Sequence, residues 1–433
     1  MIYSTIICII FFAALIMWLI RFLGEAGVTY PGNKAFAFIT KKHNTLRNNV
    51  SITRRECLNI FIIALAFRIA VFLLSWLAKG IFSEGEAISF LDYCKSWSLW
   101  DGPHYLEIAQ YGYAHKIENG NFYMLVFFPL YPFIVKIFSV IFRSYAVSAL
   151  IVSTLSYCAG CVVTYKLVAM DYSKSIARTS IVLLSIAPFA FFYGSVMTES
   201  LFFLLIISTF YAIRRHNWLL AGLLGMLSAL TRSFGILMII PATIEWVQTE
   251  RPIALMRNNE WHTLVKRFIR VLPILIMPVG TLIYLFINYR TTGDPFIFAQ
   301  YQSEHWSQNL QFFGRTAHML WDRTMSFNDS WSHIASMFMP EVIALPIFVL
   351  LILYSVRRTR SVYTVFMFIY FAFNAAASWP LSLSRYLACM FPVYWVIAEF
   401  TDRHKYIESP LIATSAVAFG IYLTGYITVH SIM

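Results

Sequence analysis

Long apolar runs separated by short polar connections set the pattern of this chain. From Ile2 to Leu23 the residues are apolar, with no basic group before Arg21 and no clear small-residue cleavage site. That stretch is longer than the core of a cleaved signal, so it predicts a retained spanning helix. Further runs near 58–81, 147–169, 178–194, 199–213, 217–231, 233–249, 271–289, 342–356, 361–378, 386–400 and 409–430 approach the length of a bilayer crossing. The expectation is an all-α polytopic membrane protein with about twelve transmembrane helices. Phe127–Phe142 is also apolar, but two early prolines and a central Lys136 make it an interfacial helix instead.

Composition supports a lipid solvent. Of 433 residues, 59% are hydrophobic and 12% charged, whereas a soluble domain carries about a quarter charged residues. The net charge of +12 would ordinarily suggest a nucleic-acid partner, but here it sits in short connections between apolar runs. One set of connections holds 20 of the 33 basic residues, among them Lys34, Lys41, Lys42, Arg47, Arg214, Arg267 and Arg358. The opposite set contains two long loops, 82–146 and 290–341, each with more acidic than basic residues. The asymmetry places the basic side in the cytoplasm and both long loops outside. Cysteines add little: Cys158 and Cys161 form a C-x-x-C inside an apolar run, which reads as helix packing.

The first external loop holds the candidate chemistry. Asp101-Gly102-Pro103 is a turn that opens a short amphipathic helix at the membrane surface, with Asp101 and His104 at its entrance. Locally, Asp101 is equally readable as a simple helix cap. Arg68 stands in the middle of a spanning run, where a charge is costly and faces the bundle interior. The second loop carries Trp306, Trp321, Trp331, His305, His318 and His333, whose aromatic faces and polar edges suit carbohydrate. Its histidines have no metal-ligand spacing, so no zinc site is expected.

Trp100-Asp101-x-x-His104-Tyr105, the following Ile108-Ala109-x-x-Gly112-Tyr113, and Phe127-Phe128-Pro129-Leu130-Tyr131-Pro132 together resemble the PIG-V mannosyltransferase family. Thr198-Glu199-Ser200, Ala229-Leu230-Thr231-Arg232-Ser233-Phe234-Gly235 and Ser384-Arg385-Tyr386 with Phe391-Pro392 extend the match in order over roughly residues 58–400. The resemblance implies a GT-C-type bundle with short interfacial helices in the first external loop, and a bacterial-type member in the plasma membrane with its site facing outside. It divides the chain into an added helix and basic loop, 1–57, and a glycosyltransferase domain, 58–433. Many relatives have a polar residue where this chain has Phe234.

The activity so implied is transfer of a monosaccharide, mannose by family habit, from a polyprenyl- or dolichyl-phosphate donor to a hydroxyl of a glycan or glycolipid. Asp101 is the expected base of an inverting displacement. His104, Tyr105, Glu199, Arg232, Arg385 and Arg68 are the expected substrate-binding residues, the arginines because a guanidinium fork suits phosphate oxygens. No cofactor or resident metal is expected, and no nucleic-acid partner. The rival reading is a transporter or lipid flippase of glycan precursors, although no repeat relates the two halves.

Overall fold

The computed structural model describes residues 1–28, 51–82, 89–118, 120–379, 382–430 and 432. Lys34, Lys41, Lys42 and Arg47 of the first basic connection lie outside them. Helices α1 (Ile2–Ala26) and α2 (Arg54–Phe82) precede three shorter ones, α3 (Phe90–Lys95), α4 (Gly102–Tyr111) and α5 (Leu130–Phe142). Then come α6 (Tyr145–Val168), α7 (Lys174–Ile186), α8 (Glu199–Arg214), α9 (Trp218–Ala229) and α10 (Ile239–Glu250). The remainder comprises α11 (Trp261–Thr292), α12 (Ile297–Trp306), α13 (Phe313–Ser326), α14 (Trp331–Arg358), α15 (Ser361–Ala375), α16 (Leu383–Ala388), α17 (Pro392–Arg403) and α18 (Lys405–Ile427). Among the described residues there is no strand, only two isolated bridges.

Six of these, α1, α2, α6, α11, α14 and α18, are long and apolar enough to cross a membrane. Burial sorts them: 61% of the apolar window of α6 is buried against 17% of that of α2, so α6 is a central column and α2 faces lipid. Side-chain caps fix where several helices begin. Ser144, Ser173 and Asn217 each accept a hydrogen bond from a backbone N–H of the first turn they precede. α5 is 13 residues long, about 20 Å, shorter than a bilayer crossing needs.

Several expected spans are interrupted. The run at 178–194 stops as α7 at Ile186, because Pro188 disfavours a helical Ala187, and a 3-10 turn Ala190–Gly194 follows. The run at 233–249 starts as the 3-10 turn Ser233–Met238 before α10. The run at 386–400 is cut between α16 and α17, where Pro392 restarts the helix. α14 runs the other way: it begins at Trp331, through a π-helical segment, well before the apolar run seen in the sequence. Irregular backbone is tolerated in a membrane protein where it is covered by protein, and residues flanking these breaks are buried: Phe191, Phe192, Val196, Thr231 and Cys389.

Charges collect at the two ends of the bundle. At one end Arg214 forms a close pair with Asp171 and also reaches Glu245 at 3.2 Å, which Arg360 meets at 2.8 Å. α1 joins this end: Arg21 pairs with Glu25 at 2.9 Å and donates to the Thr359 carbonyl, while Ser361 donates to Glu25 at 2.6 Å. α8 runs from this end to Glu199, which begins the helix at the other.

Arg68 is buried in α2 and donates to the carbonyls of Ala190 and Phe191 at 3.1 and 3.0 Å, with its guanidinium 5.1 Å from the Tyr157 ring centre. It pairs with no carboxylate among the described residues and instead secures the 3-10 turn that leads into α8. Gly194 leaves it room, since a Cβ there would lie 1.8 Å from Arg68 Nη2. Arg68→Met is expected to remove the side-chain donor from two buried carbonyls that keep only their bonds within the turn, and to cost about 1–3 kcal/mol, and Gly194→Ala to be similarly damaging by displacing the guanidinium. Thermal unfolding in detergent checks both, and unchanged melting of either variant would show that the turn holds without this contact.

Candidate active site

Glu199 heads α8, and its carboxylate is buried to 1% exposure. An isolated ionised carboxylate at that depth would be prohibitive, so the neighbouring cations matter. Arg232, in the break between α9 and the turn Ser233–Met238, donates to Glu199 Oε1 at 3.1 Å. Arg385 of α16 places Nε 2.9 Å from the same oxygen, an ionic contact rather than an aligned hydrogen bond. The other arm of Arg385 donates to Asp101 Oδ2 at 3.1 Å. Two carboxylates and two guanidiniums thus alternate: Asp101, Arg385, Glu199, Arg232. Of the four, Asp101 is the open end, its side chain 28% exposed while that of Arg385 is 4% exposed.

Aromatic rings enclose the cations. Tyr386 lies between the two guanidiniums, its ring centre 4.8 Å from Arg232 Cζ and 4.9 Å from Arg385 Cζ. Phe192 covers Arg385 at 5.1 Å. Each contact adds favourable ring electrostatics once water is excluded.

Asp101 occupies the N-cap position of α4 but makes no side-chain capping bond. The reading of Asp101 as merely a helix cap is therefore not the geometry found. Its backbone is set by Trp100, which adopts a left-handed conformation with φ of 55°, strained for a bulky residue. The loop is held in place by Trp97, whose carbonyl accepts from Val196 N and from the Tyr426 hydroxyl at 3.0 Å. Gly102 packs close to Val196, 3.2 Å from its carbonyl oxygen to a built Cβ.

The remaining expected residues separate into two groups. His104 stays beside Asp101, stacked on Phe127 with ring centres 5.1 Å apart, and its Nδ1 is buried with no hydrogen-bond partner among the described residues. Burial pushes its imidazole below the ordinary 6.5, opposed by the nearby Asp101. Trp100 Nε1 and Glu199 Oε2 are likewise buried and unpartnered. Tyr105 is buried beside the same cluster: it packs edge-on to Phe127 and Tyr131 and its hydroxyl meets Thr198, within the field of Asp101, Glu199 and Arg232. Arg68 is not brought into the cluster. Phe234 is core, packed on Tyr370 and Phe373.

Of the second-loop aromatics, His305 and Trp306 reach the site side. Trp306 stands edge-on to Phe127 at 5.8 Å, and His305 stacks on Tyr123 at 4.4 Å. Trp321 and Trp331 instead stack on Tyr3 and Phe327, and His318 pairs with Asp322.

Glu341 was not singled out from sequence. It sits in α14, 2% exposed, and accepts from Ser384 Oγ at 2.8 Å; the N–H groups of Leu383 and Ser384 face the same carboxylate. It thereby anchors the start of the six-residue helix that carries Arg385. The available signal was an acidic residue bordering an apolar run. Glu341→Ala is expected to lower stability by about 1–3 kcal/mol and to raise amide hydrogen exchange in 383–388, with Glu341→Gln much milder. Unaltered exchange in the alanine variant would remove the anchoring role.

His104 gives a pH expectation. Its folded value lies below its unfolded one, so the unfolded chain binds the extra proton, and stability falls as pH drops below about 6.5. His104→Gln is expected to flatten that part of a melting-against-pH curve. If the variant and the wild type lose stability in parallel, another group is responsible.

The sequence profile of the family described as Mannosyltransferase (PIG-V) matches residues 64–295, more than half of the chain. No curated protein matches. Among solved structures, the crystal structure of ArnT from Cupriavidus metallidurans bound to undecaprenyl phosphate is similar at 13% identity and a TM-score of 0.47, with 85% of this chain and 71% of that chain covered. The matched segment contains Asp101, Glu199 and Arg232, three of the four members of the charge cluster, and it is by this match that the chain belongs to the PIG-V mannosyltransferase family.

Proposed function

We propose that this protein transfers a mannosyl group from a polyprenyl-phosphate donor to a hydroxyl of a glycan or glycolipid, on the extracytoplasmic side of a plasma membrane. The single observation that carries the reading is the pairing of a half-open carboxylate, Asp101, with a buried guanidinium, Arg385, at 3.1 Å. Asp101 accepts the proton of the acceptor hydroxyl. The acceptor oxygen bonds to the anomeric carbon as the bond from that carbon to the phosphate oxygen breaks, with inversion. The electron pair leaves on the phosphate, which departs as polyprenyl phosphate.

Arg385 is placed for two tasks. It orients Asp101, and it is the cation next to the base, suited to charge building on the leaving phosphate. Arg232 neutralises Glu199 from the far side, so that Arg385 is not fully claimed by it. Trp100 Nε1, His104 Nδ1 and Glu199 Oε2, buried without partners, supply one donor and polar positions for sugar hydroxyls. Trp306, His305 and Tyr123 give an aromatic flank from the second long loop. Its acidic character, and the gathering of basic residues at the opposite end of the bundle, support an external site.

The test offers radiolabelled polyprenyl-phosphate mannose and glucose to reconstituted protein. Wild type is expected to use the mannosyl donor, Asp101→Asn to lose about 10²–10⁴ in rate, and Arg385→Lys about 10²-fold, since an ammonium cannot bridge Asp101 and Glu199 together. Equal turnover by wild type and Asp101→Asn would sink the assignment of the base.

A further inference from the structure

A second feature lies apart from the charge cluster, between α1 and α13. A cavity of about 980 Å³ opens there, with Ile9, Phe12, Phe312 and Met319 among its apolar walls and Arg315, His318, Asp322 and Arg323 among its polar ones. Both helices fall outside the segment matched by the family profile.

The two helices run in opposite directions. Phe313 packs on Phe11 at 5.0 Å and Trp321 stacks on Tyr3 at 4.7 Å. Gly314 allows the close approach, since a Cβ there would lie 2.9 Å from Cys8 Sγ. The register carries Arg315 to the level of Cys8. The apolar sequence of α1 begins at Ile2 and ends at Arg21, so Cys8 lies about 9 Å inside its start. Arg315 is exposed there, facing a cavity that Ile9 and Phe12 also line. A cation at that depth is costly unless it finds an anion.

Among the described residues lining the cavity, the one carboxylate is Asp322, set against two arginines. Asp322 is engaged with His318 at 2.6 Å, and Arg323 has Asp329 at 3.5 Å and the Trp379 ring at 5.5 Å. Among the described residues no carboxylate pairs with Arg315. What the site lacks is an anion attached to something apolar. A guanidinium fork suits a phosphodiester, and the apolar walls beside it suit an acyl chain. A zwitterionic headgroup would bring its own cation toward two arginines, so an anionic headgroup is favoured.

We propose that this cavity holds one anionic phospholipid from the surrounding leaflet, with its phosphate on Arg315 and an acyl chain along Ile9, Phe12 and Phe312. The lipid joins the added N-terminal helix to α13 and does not depend on the reaction assigned above.

The experiment mixes detergent-purified protein with equal amounts of dioleoyl phosphatidylglycerol and dioleoyl phosphatidylcholine, and weighs the retained lipid by mass spectrometry. Wild type is expected to retain phosphatidylglycerol in roughly fivefold preference, the factor expected of one basic residue at a membrane surface. Arg315→Gln should bring the ratio toward unity and Arg315→Lys keep part of it. Thr5→Trp, which fills the cavity from the α1 side, should lower retention without touching the charge. Asp101→Asn should retain the lipid as wild type does. Equal retention of both lipids, unchanged preference in Arg315→Gln, loss in Asp101→Asn, or displacement by millimolar inorganic phosphate would each overturn the proposal.

Discussion

Glu199 is the constraint on which the rest of the site turns. A carboxylate that deep is admissible only if cations meet it, and removal of one partner from a buried pair typically costs about 3–5 kcal/mol. Two arginines from distant parts of the chain therefore converge on one oxygen, at 3.1 and 2.9 Å. Because Arg385 must reach Glu199, its second arm is delivered to Asp101. The geometry of the surface carboxylate follows from the electrostatics of the buried one.

The helix breaks are what make that convergence possible. Arg232 and Arg385 each stand just before an expected run whose opening is broken, and the turn leading into Glu199 is itself a break, secured by Arg68. A continuous helix would carry these side chains at fixed angular steps along a cylinder. Interruption lets short segments approach one another, with Glu341 and Arg68 holding the freed backbone groups and Tyr386 filling the space between the cations.

The sequence made the membrane class, the apolar layout and the turn that opens α4 at Asp101 legible, because hydropathy and turn chemistry act over short distances. That α5 is too short to span followed from two prolines and a lysine. It did not disclose that α7 stops short or that α10 and α17 begin late, since an apolar run reads the same whether or not its backbone is broken. Nor could it pair Asp101 with Arg385, separated by 284 positions. Glu199, Arg232 and Arg385 were named as separate candidates, yet their mutual dependence is a three-dimensional fact. Arg68 looked like a phosphate ligand for the same reason that it is buried: charge in a span demands partners, and the sequence does not say whether those are carbonyls or phosphates.

The spacing of the cluster along the chain also bears on how the protein is made. Glu199 and Arg232 are 33 residues apart, on neighbouring segments, and can enter the membrane as a neutral unit soon after α9 emerges. Arg385 is synthesised long after both. Until then Asp101 has no Arg385 to aim it, so a nascent or truncated chain carries a satisfied buried pair but an incomplete charge cluster. Insertion and activation are thus separated in time by the order of residues alone.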